Sequence, residues 1–288
     1  MASSPPSKRP RQNLAIDDAF ETLLATSSSD NRLSPVVVFA HGAGAPSSSE
    51  WMIRHFLFLF LRRSFSFVFP FSDCLRRFLS RTRSFWSCLE LMNCENWGAM
   101  FSGLSVALWK DVLGKALHAV DVVTFDYPYI SGGRKPPPKA EKLVPYHVEI
   151  VKRTIARYPG HPLILAGKSM GSRVSCMVAC EEDIHASAII CLGYPLKGLK
   201  GDVRDQTLLQ VTIPIMFVQG SRDALCPLEK LEDIRKRMKS IGGLHVIDGG
   251  DHSFQISKKY LQGKGSSKDE AENVAAQALA TFVSGCLR

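Results

Sequence analysis

Short apolar runs that alternate with helical patterns are the feature of this sequence that most restricts its fold. Six runs, rich in Val, Ile and Leu, are each followed by a turn or a helix. They cover residues 35–40, 119–125, 162–166, 186–192, 213–219 and 244–247. Apolar strands with helices between them are typical of a parallel sheet that helices cover on both faces. We therefore predict an α/β fold with a mostly parallel sheet.

Three helices after residue 140 are predicted from apolar spacing and end signals. Residues 142–158 place apolar side chains near helical spacing, and a second helix runs from Ser169 to about residue 179. The last helix begins at Ser267, since Ser267 and Glu270 form a capping-box pattern. We expect one face of this last helix to carry Val274, Ala278 and Phe282.

The chain of 288 residues is long enough for one large α/β domain. We predict a single domain over residues 31–288, preceded by a polar, disordered tail at residues 1–30. The first residues contain no apolar stretch of the kind that a secretory signal needs. We expect a cytoplasmic protein, while the basic run Lys8–Arg11 is a possible nuclear address and keeps a nuclear location open.

Charge and cysteine content exclude several classes of site. The net charge is +9, from 36 basic and 27 acidic side chains, but no nucleic-acid-binding motif accompanies it. We interpret the excess as a solvated basic surface and expect no nucleic-acid partner. The eight cysteines contain no C-x-x-C pair, and no histidines complete a zinc set. We expect free thiols, no metal and no organic cofactor.

Residues 55–108 differ from the rest of the chain. They contain ten of the sixteen phenylalanines and no lysine. A membrane span needs about twenty apolar residues, and Arg62 and Arg63 interrupt the run too early for one, so we expect no transmembrane segment. One interpretation of the segment is a genuine lid over the active site.

A second interpretation, which we favour, is that residues 55–108 are foreign to the fold. Joining Arg54 to Trp109 produces a continuous amphipathic helix with apolar residues near 3.6 spacing. This junction and the biased composition indicate an insertion, such as retained intron sequence. An insertion there would lie beside the site and add apolar surface.

The sequence Gly167-Lys168-Ser169-Met170-Gly171 matches G-x-S-x-G and lies between an apolar run and a helical pattern. In this strand–turn–helix context the serine is exposed on a sharp, strained turn. Side chains larger than hydrogen at Gly167 and Gly171 would clash with the neighbouring backbone. Ser169 is therefore the candidate nucleophile. The alternative is the end of a phosphate-binding loop, but Pro162 occupies the position where that motif needs glycine.

A serine nucleophile needs a base and an acid that orients the base. In a strand–turn–helix serine motif of this kind, the acid and then the base follow the serine along the chain. The candidates are Asp223 for the acid and His252 for the base, each just after an apolar run. Parallel strands bring such loops to one edge of the sheet, where ligands bind. Asp251 and Asp248 are rivals for the acid. The other histidines fit poorly, because His147 lies in a helix, His245 in a strand, and His161 and His185 before strands.

The small-residue loop after the first apolar run is the candidate oxyanion loop. It contains His41, Gly42, Ala43 and Gly44, whose small side chains let a backbone N–H face the substrate. We expect the N–H groups of Ala43 and Met170 to form the oxyanion hole. A tight turn without that role is the alternative.

Six motifs together resemble a known family. They are PVVVFAHGAGAPSSSEWM, TFDYPY, GKSMGSR, CLGYPLKG, FVQGSRD and GGDHSF. The series is similar to the dienelactone-hydrolase-like proteins of the testis-expressed-protein-30 group. That group includes the hydrolase-like domain of a regulatory subunit of the NSL histone acetyltransferase complex, and the sequence looks most like a plant member. The resemblance covers residues 35–54 and 109–285 and implies an α/β-hydrolase fold with a minimal cap and a triad of Ser169, Asp223 and His252.

Two functional hypotheses follow. The first is a serine hydrolase that cleaves a small ester, thioester or related acyl substrate. The second is a catalytically idle α/β-hydrolase fold used as an interaction module, for which a nuclear regulatory complex is one setting. The basic, Pro-rich loop at residues 131–139 favours this second hypothesis, because such a loop can dock a protein partner. All three triad residues are present, which favours the first.

Overall fold

A computed structural model describes residues 33–43, 109–131, 136–198 and 201–287. The strands are β1 (Val36–Ala40), β2 (Asp121–Phe125), β3 (Leu163–Lys168), β4 (Ala188–Leu192), β5 (Ile215–Gly220) and β6 (Gly242–Ile247). The helices are α1 (residues 109–116), α2 (Pro128–Ser131), α3 (Val144–Arg157), α4 (Met170–Val178), α5 (Gln206–Gln210), α6 (Leu228–Arg235), α7 (Lys258–Lys264) and α8 (Lys268–Cys286). A 3₁₀ helix at Ala140–Leu143 leads directly into α3.

The six strands form one sheet in the order β2-β1-β3-β4-β5-β6. Every neighbouring pair is parallel. The carboxyl ends of all six strands therefore lie at one edge, and the loops that follow β1, β3, β4, β5 and β6 meet there. The α/β prediction with a parallel sheet is confirmed.

Side chains alternate between two apolar layers, as the pleat of a strand requires. Along β1, Val36 and Val38 belong to one buried cluster, and Val37 and Phe39 belong to the other. Helices α3, α4 and α6 cover the first face, and α1 and α8 cover the second. Full burial of one such side chain contributes roughly 1.5–3 kcal/mol, so these two layers supply most of the force that holds the sheet.

The last helix begins as its sequence predicts but buries a different stripe. Ser267 is the N-cap, and its side chain accepts a hydrogen bond from the Glu270 N–H. The fully buried stripe is Ala275, Leu279 and Val283. The predicted face was therefore wrong by one residue: Val274 is 48% exposed, and Ala278 and Phe282 are only half-buried. Both stripes repeat every four residues, so spacing alone could not choose between them.

Several predictions lie outside the described residues. These are the disordered tail at 1–30, the segment 55–108 and residues 132–135 of the loop 131–139. The described half of the helix predicted across Arg54 and Trp109 is helical, and it buries Trp109 and Leu113. No helix in the described part of the chain is both long and apolar enough to cross a membrane.

Candidate active site

Ser169 lies between the end of β3 and the start of α4. Its backbone has φ 53° and ψ −114°, a conformation that non-glycine residues rarely adopt. Such strain costs on the order of 1–3 kcal/mol and persists only where the surroundings impose it. Here the Ser169 N–H donates to the Leu192 carbonyl at 2.9 Å, and the Ser169 carbonyl accepts from the Ser172 N–H at 3.1 Å.

The two glycines of the motif let backbone segments approach closely. A Cβ atom at Gly167 would lie 2.3 Å from the carbonyl carbon of Gly171. A Cβ atom at Gly171 would lie 2.4 Å from the Ala40 oxygen, at the end of β1. Both contacts are with backbone atoms, which cannot move aside easily. The turn that carries Ser169 therefore requires glycine at both positions.

The structure brings Ser169, His252 and Asp223 into one hydrogen-bonded line. His252 Nε2 is 2.8 Å from Ser169 Oγ, and His252 Nδ1 is 2.7 Å from Asp223 Oδ2. Because a carboxylate can only accept, Nδ1 carries the proton and Nε2 is free to accept from the serine hydroxyl. The Asp223 side chain is fully buried, whereas the His252 side chain is 26% exposed.

Asp223 is held by two further donors. The Leu225 N–H donates to Oδ1 at 2.8 Å, and the Gln219 amide donates to Oδ2. Gln219 is itself fully buried, and its Oε1 accepts from the Tyr194 N–H at 3.0 Å. This residue links the loops after β4 and β5, and sequence reasoning missed it. The available signal was a polar side chain at the end of an otherwise apolar strand.

The two rival acids have other partners. Asp251 Oδ1 accepts from the backbone N–H groups of Ser253 and Gln255, each at 2.8 Å, which stabilises the turn that presents His252. Asp248 pairs with Lys264 at 3.3 Å on the surface. Neither carboxylate reaches the imidazole of His252, which bonds to Asp223. Of the three acids, only Asp223 is placed to orient that ring.

The two candidate oxyanion donors lie at the ends of β1 and β3. Ala43 is the last described residue after β1, and Gly44 lies outside the described residues. The hydroxyl of Tyr129 donates to the Ala43 carbonyl at 3.2 Å, which anchors the residue whose N–H is the candidate donor. Met170 is the first residue of α4, where a helix leaves its N–H groups without intrahelical acceptors. Tyr129, in the short helix α2 after β2, was not singled out from the sequence as a support.

His41 fixes the loop between β1 and Ala43. It is fully buried, its Nε2 accepts from the Tyr127 N–H at 3.2 Å, and its Nδ1 donates to the Gly42 carbonyl. Burial lowers the pKa of His41, so the ring is neutral and can make both bonds at once. Behind it, the Tyr127 hydroxyl lies 3.1 Å from His147 Nδ1, and burial lowers the pKa of His147 to about 3. Both histidines are structural.

The phosphate-loop alternative does not fit the backbone. Residues Leu163–Lys168 form one continuous strand, paired with β1 on one side and β4 on the other. No loop precedes Lys168 that could surround a phosphate.

Among the residues that the structure describes, no group of three or more His, Cys, Asp or Glu side chains could hold a metal ion. The arrangement is suited to proton transfer and nucleophilic attack.

Comparisons with known proteins agree with this geometry at the level of the fold. A family model described as an alpha/beta hydrolase domain matches residues 108–284. A protein of unknown function from Agrobacterium tumefaciens, assigned to the α/β hydrolases, is 10% identical with a TM-score of 0.52, and the alignment covers 89% of each chain.

Two further solved structures are similar. An alpha-beta serine hydrolase homologue from Coxiella burnetii is 15% identical, with a TM-score of 0.49 and coverage of 87% of this chain and 88% of that one. Est1E from Butyrivibrio proteoclasticus, solved with ferulic acid bound, is 14% identical, with a TM-score of 0.48 and coverage of 88% and 92%. The family match spans more than half of the sequence, and the chain therefore belongs to the α/β hydrolase domain family.

Proposed function

We propose that this protein is a serine hydrolase that cleaves an ester, thioester or related acyl bond. The observation that carries the proposal is the line of hydrogen bonds from Ser169 through His252 to Asp223, with spacings of 2.8 and 2.7 Å. A serine hydroxyl is a weak nucleophile by itself, and an adjacent base held by a buried acid activates it.

In the first half-reaction, Ser169 Oγ attacks the acyl carbon while His252 Nε2 takes the hydroxyl proton. The imidazolium that forms is stabilised by the Asp223 carboxylate, and it returns the proton to the departing alkoxide or thiolate. The products are the free alcohol or thiol and an acyl group bonded to Ser169. Water then attacks the acyl carbon with His252 again acting as base, which releases the carboxylic acid and regenerates the serine.

Negative charge develops on the acyl oxygen during both attacks. We propose that the N–H groups of Ala43 and Met170 donate hydrogen bonds to this oxyanion. Tyr129 holds the Ala43 carbonyl, and His41 holds the Gly42 carbonyl, which shares a peptide bond with the Ala43 N–H. Loss of one such donor typically costs about 3 kcal/mol of transition-state stabilisation. The site needs no cofactor for this chemistry.

The finer identity is also part of the proposal. The motif series supports a place in the dienelactone-hydrolase-like, testis-expressed-protein-30 group, in a plant, with a cytoplasmic or nuclear location. We further propose one hydrolase domain over residues 31–288 with a minimal cap, in which residues 55–108 are an insertion. The candidate substrate is a small acyl compound.

Covalent labelling of the full-length chain with a fluorophosphonate tests the proposal. An activated serine oxygen displaces fluoride from phosphorus, and the adduct marks the reactive residue. We expect labelling that is lost in Ser169→Ala, with the adduct on the peptide that contains Ser169. A folded chain that does not label would refute the hydrolase proposal and favour the interaction module, for which the loop 131–139 is the candidate docking segment.

A further inference from the structure

Lys168 immediately precedes the candidate nucleophile, and the mechanism above does not use it. It is the last residue of β3 and is only 3% exposed. Lysine is almost never fully buried unless its ammonium has partners. The partners of this side chain therefore indicate what it does.

The ammonium of Lys168 contacts the loop that carries His252. Nζ donates a hydrogen bond to the backbone carbonyl of His252 itself. It also lies 3.8 Å from the centre of the Phe254 ring, two residues further along. Phe254 is buried, adopts a positive φ of 62° and packs edge-on against Trp109 at 5.5 Å. The Lys168 side chain thus bonds to a turn that is itself anchored in the core.

This contact crosses the sheet from β3 to the loop after β6. The side chain passes Gly193, at the end of β4, where a Cβ atom would lie only 2.7 Å from Nζ. Gly193 has φ 62°, so glycine suits both the backbone and the passage of the lysine. Because Gly193 leaves space for its side chain, Lys168 reaches from β3 to the His252 carbonyl.

We propose that Lys168 is a positioning residue that holds the His252 loop at the correct distance from Ser169. The inference rests on the proposed hydrolase function. A spacing of 2.8 Å between Nε2 and Oγ must be kept for proton transfer, and the Lys168 bond fixes the backbone from which the imidazole projects. Through this bond, the strand that places the nucleophile also places the base.

The contact between Lys168 and the His252 loop depends on protonation of the lysine amine. Burial lowers the pKa of Lys168 to about 7, against the opposing effects of Asp223 and Asp251. Nζ also contacts the backbone carbonyl of His252, which does not titrate. A neutral amine donates a weaker hydrogen bond and loses its cation–π attraction to Phe254. We therefore expect the contact between Lys168 and the His252 loop to be strongest below pH 7 and to weaken as the pH rises.

The test compares the wild-type chain with Lys168→Met, which keeps an unbranched apolar stem and removes the charge. Lys152→Met, at an exposed site on α3, is the matched control. The readout is the second-order rate of fluorophosphonate labelling between pH 6 and pH 9, with urea unfolding of each variant. We expect the ratio of wild-type to Lys168→Met rates to be about tenfold at pH 6 and to fall to about threefold or less at pH 9. The control should label as wild type throughout.

Urea unfolding distinguishes a role of Lys168 in positioning the His252 loop from a role in stabilising the fold. Removing a buried ammonium should leave the urea midpoint at pH 6 unchanged or raised, while the labelling rate falls. If Lys168→Met does not fold, Phe254→Leu removes the cation–π partner and should show a pH-dependent rate ratio of the same direction.

A rate ratio near one at pH 6, or a ratio that does not change with pH, would overturn the role of Lys168 alone. Absence of labelling in the folded wild-type chain would overturn the hydrolase proposal and this inference with it. A lowered urea midpoint that accounts for the lost labelling would also overturn it, because Lys168 would then be structural.

Discussion

Replacing Asp223 with asparagine is the substitution whose effect the geometry defines most sharply. Asparagine has nearly the same shape but offers one acceptor oxygen and one amide donor. Both aspartate oxygens are in use: Oδ1 accepts from the Leu225 N–H, and Oδ2 accepts from His252 and Gln219. One oxygen cannot replace both acceptors.

The amide of Asp223→Asn can be oriented in two ways. With its oxygen toward Leu225, its NH₂ group faces the Nδ1 of His252, which must then become the acceptor. The imidazole proton moves to Nε2, and Nε2 can no longer accept from the Ser169 hydroxyl. In the opposite orientation, the Leu225 N–H loses its acceptor on the side chain of residue 223, at a cost of about 1 kcal/mol. The first orientation also turns the NH₂ group toward the Gln219 amide, so each orientation leaves one donor unpaired. Both orientations remove the carboxylate charge that stabilises the imidazolium, and the first also removes the acceptor on Nε2.

The magnitude follows from the loss of the base. An equivalent Asp-to-Asn change in a serine triad lowers kcat by about 10⁴. At about 1.36 kcal/mol per factor of ten, that is about 5 kcal/mol of transition-state stabilisation. We expect the fluorophosphonate labelling rate of Asp223→Asn to fall by about 10³- to 10⁴-fold, with the chain still folded by circular dichroism.

The matched control is Asp251→Asn, one residue before His252. The Asp251 Oδ1 accepts from two backbone N–H groups, and an asparagine oxygen can accept from both. Its labelling rate should stay within about threefold of wild type, since no transition-state contact is removed. Equal losses in both variants, or a loss under tenfold in Asp223→Asn, would refute the assignment of the orienting acid.

Three other predictions can be measured with the same protein. Tyr129→Phe removes the donor to the Ala43 carbonyl, worth about 0.5–1.5 kcal/mol, so labelling should slow about two- to tenfold; an unchanged rate would argue against Ala43 as an oxyanion donor. His147 has a folded pKa of about 3, below the ordinary 6.5, so the unfolded chain binds protons first as the pH falls. Between pH 6.5 and 3, the free energy of unfolding of wild type, measured in urea, should therefore fall by up to ~5 kcal/mol more than that of His147→Gln. An equal fall in the two proteins would contradict this. A chain without residues 55–108 should label at Ser169 at least as fast as the full chain, whereas a genuine lid predicts slower or less selective labelling.

The sequence alone determined the type of sheet and the place of the nucleophile. Apolar runs that alternate with helical patterns predict a parallel sheet, because only strands covered on both faces lack a polar side. The G-x-S-x-G motif at a strand–helix junction places Ser169, since a sharp turn there needs glycine on both sides. Asp223 and His252 could be chosen because each follows a strand, and parallel strands end at one edge.

Tertiary structure decided which residues of distant segments are in contact. Strand order is not written in local sequence, so the link from Gln219 to Asp223 and the reach of Lys168 to the His252 carbonyl could not be predicted. The buried stripe of α8 was missed by one residue for a related reason. Two stripes with equal spacing differ only in which one the sheet covers, and that depends on how the whole layer packs. Local chemistry selects candidate residues, but distances between distant segments arise only when the sheet assembles.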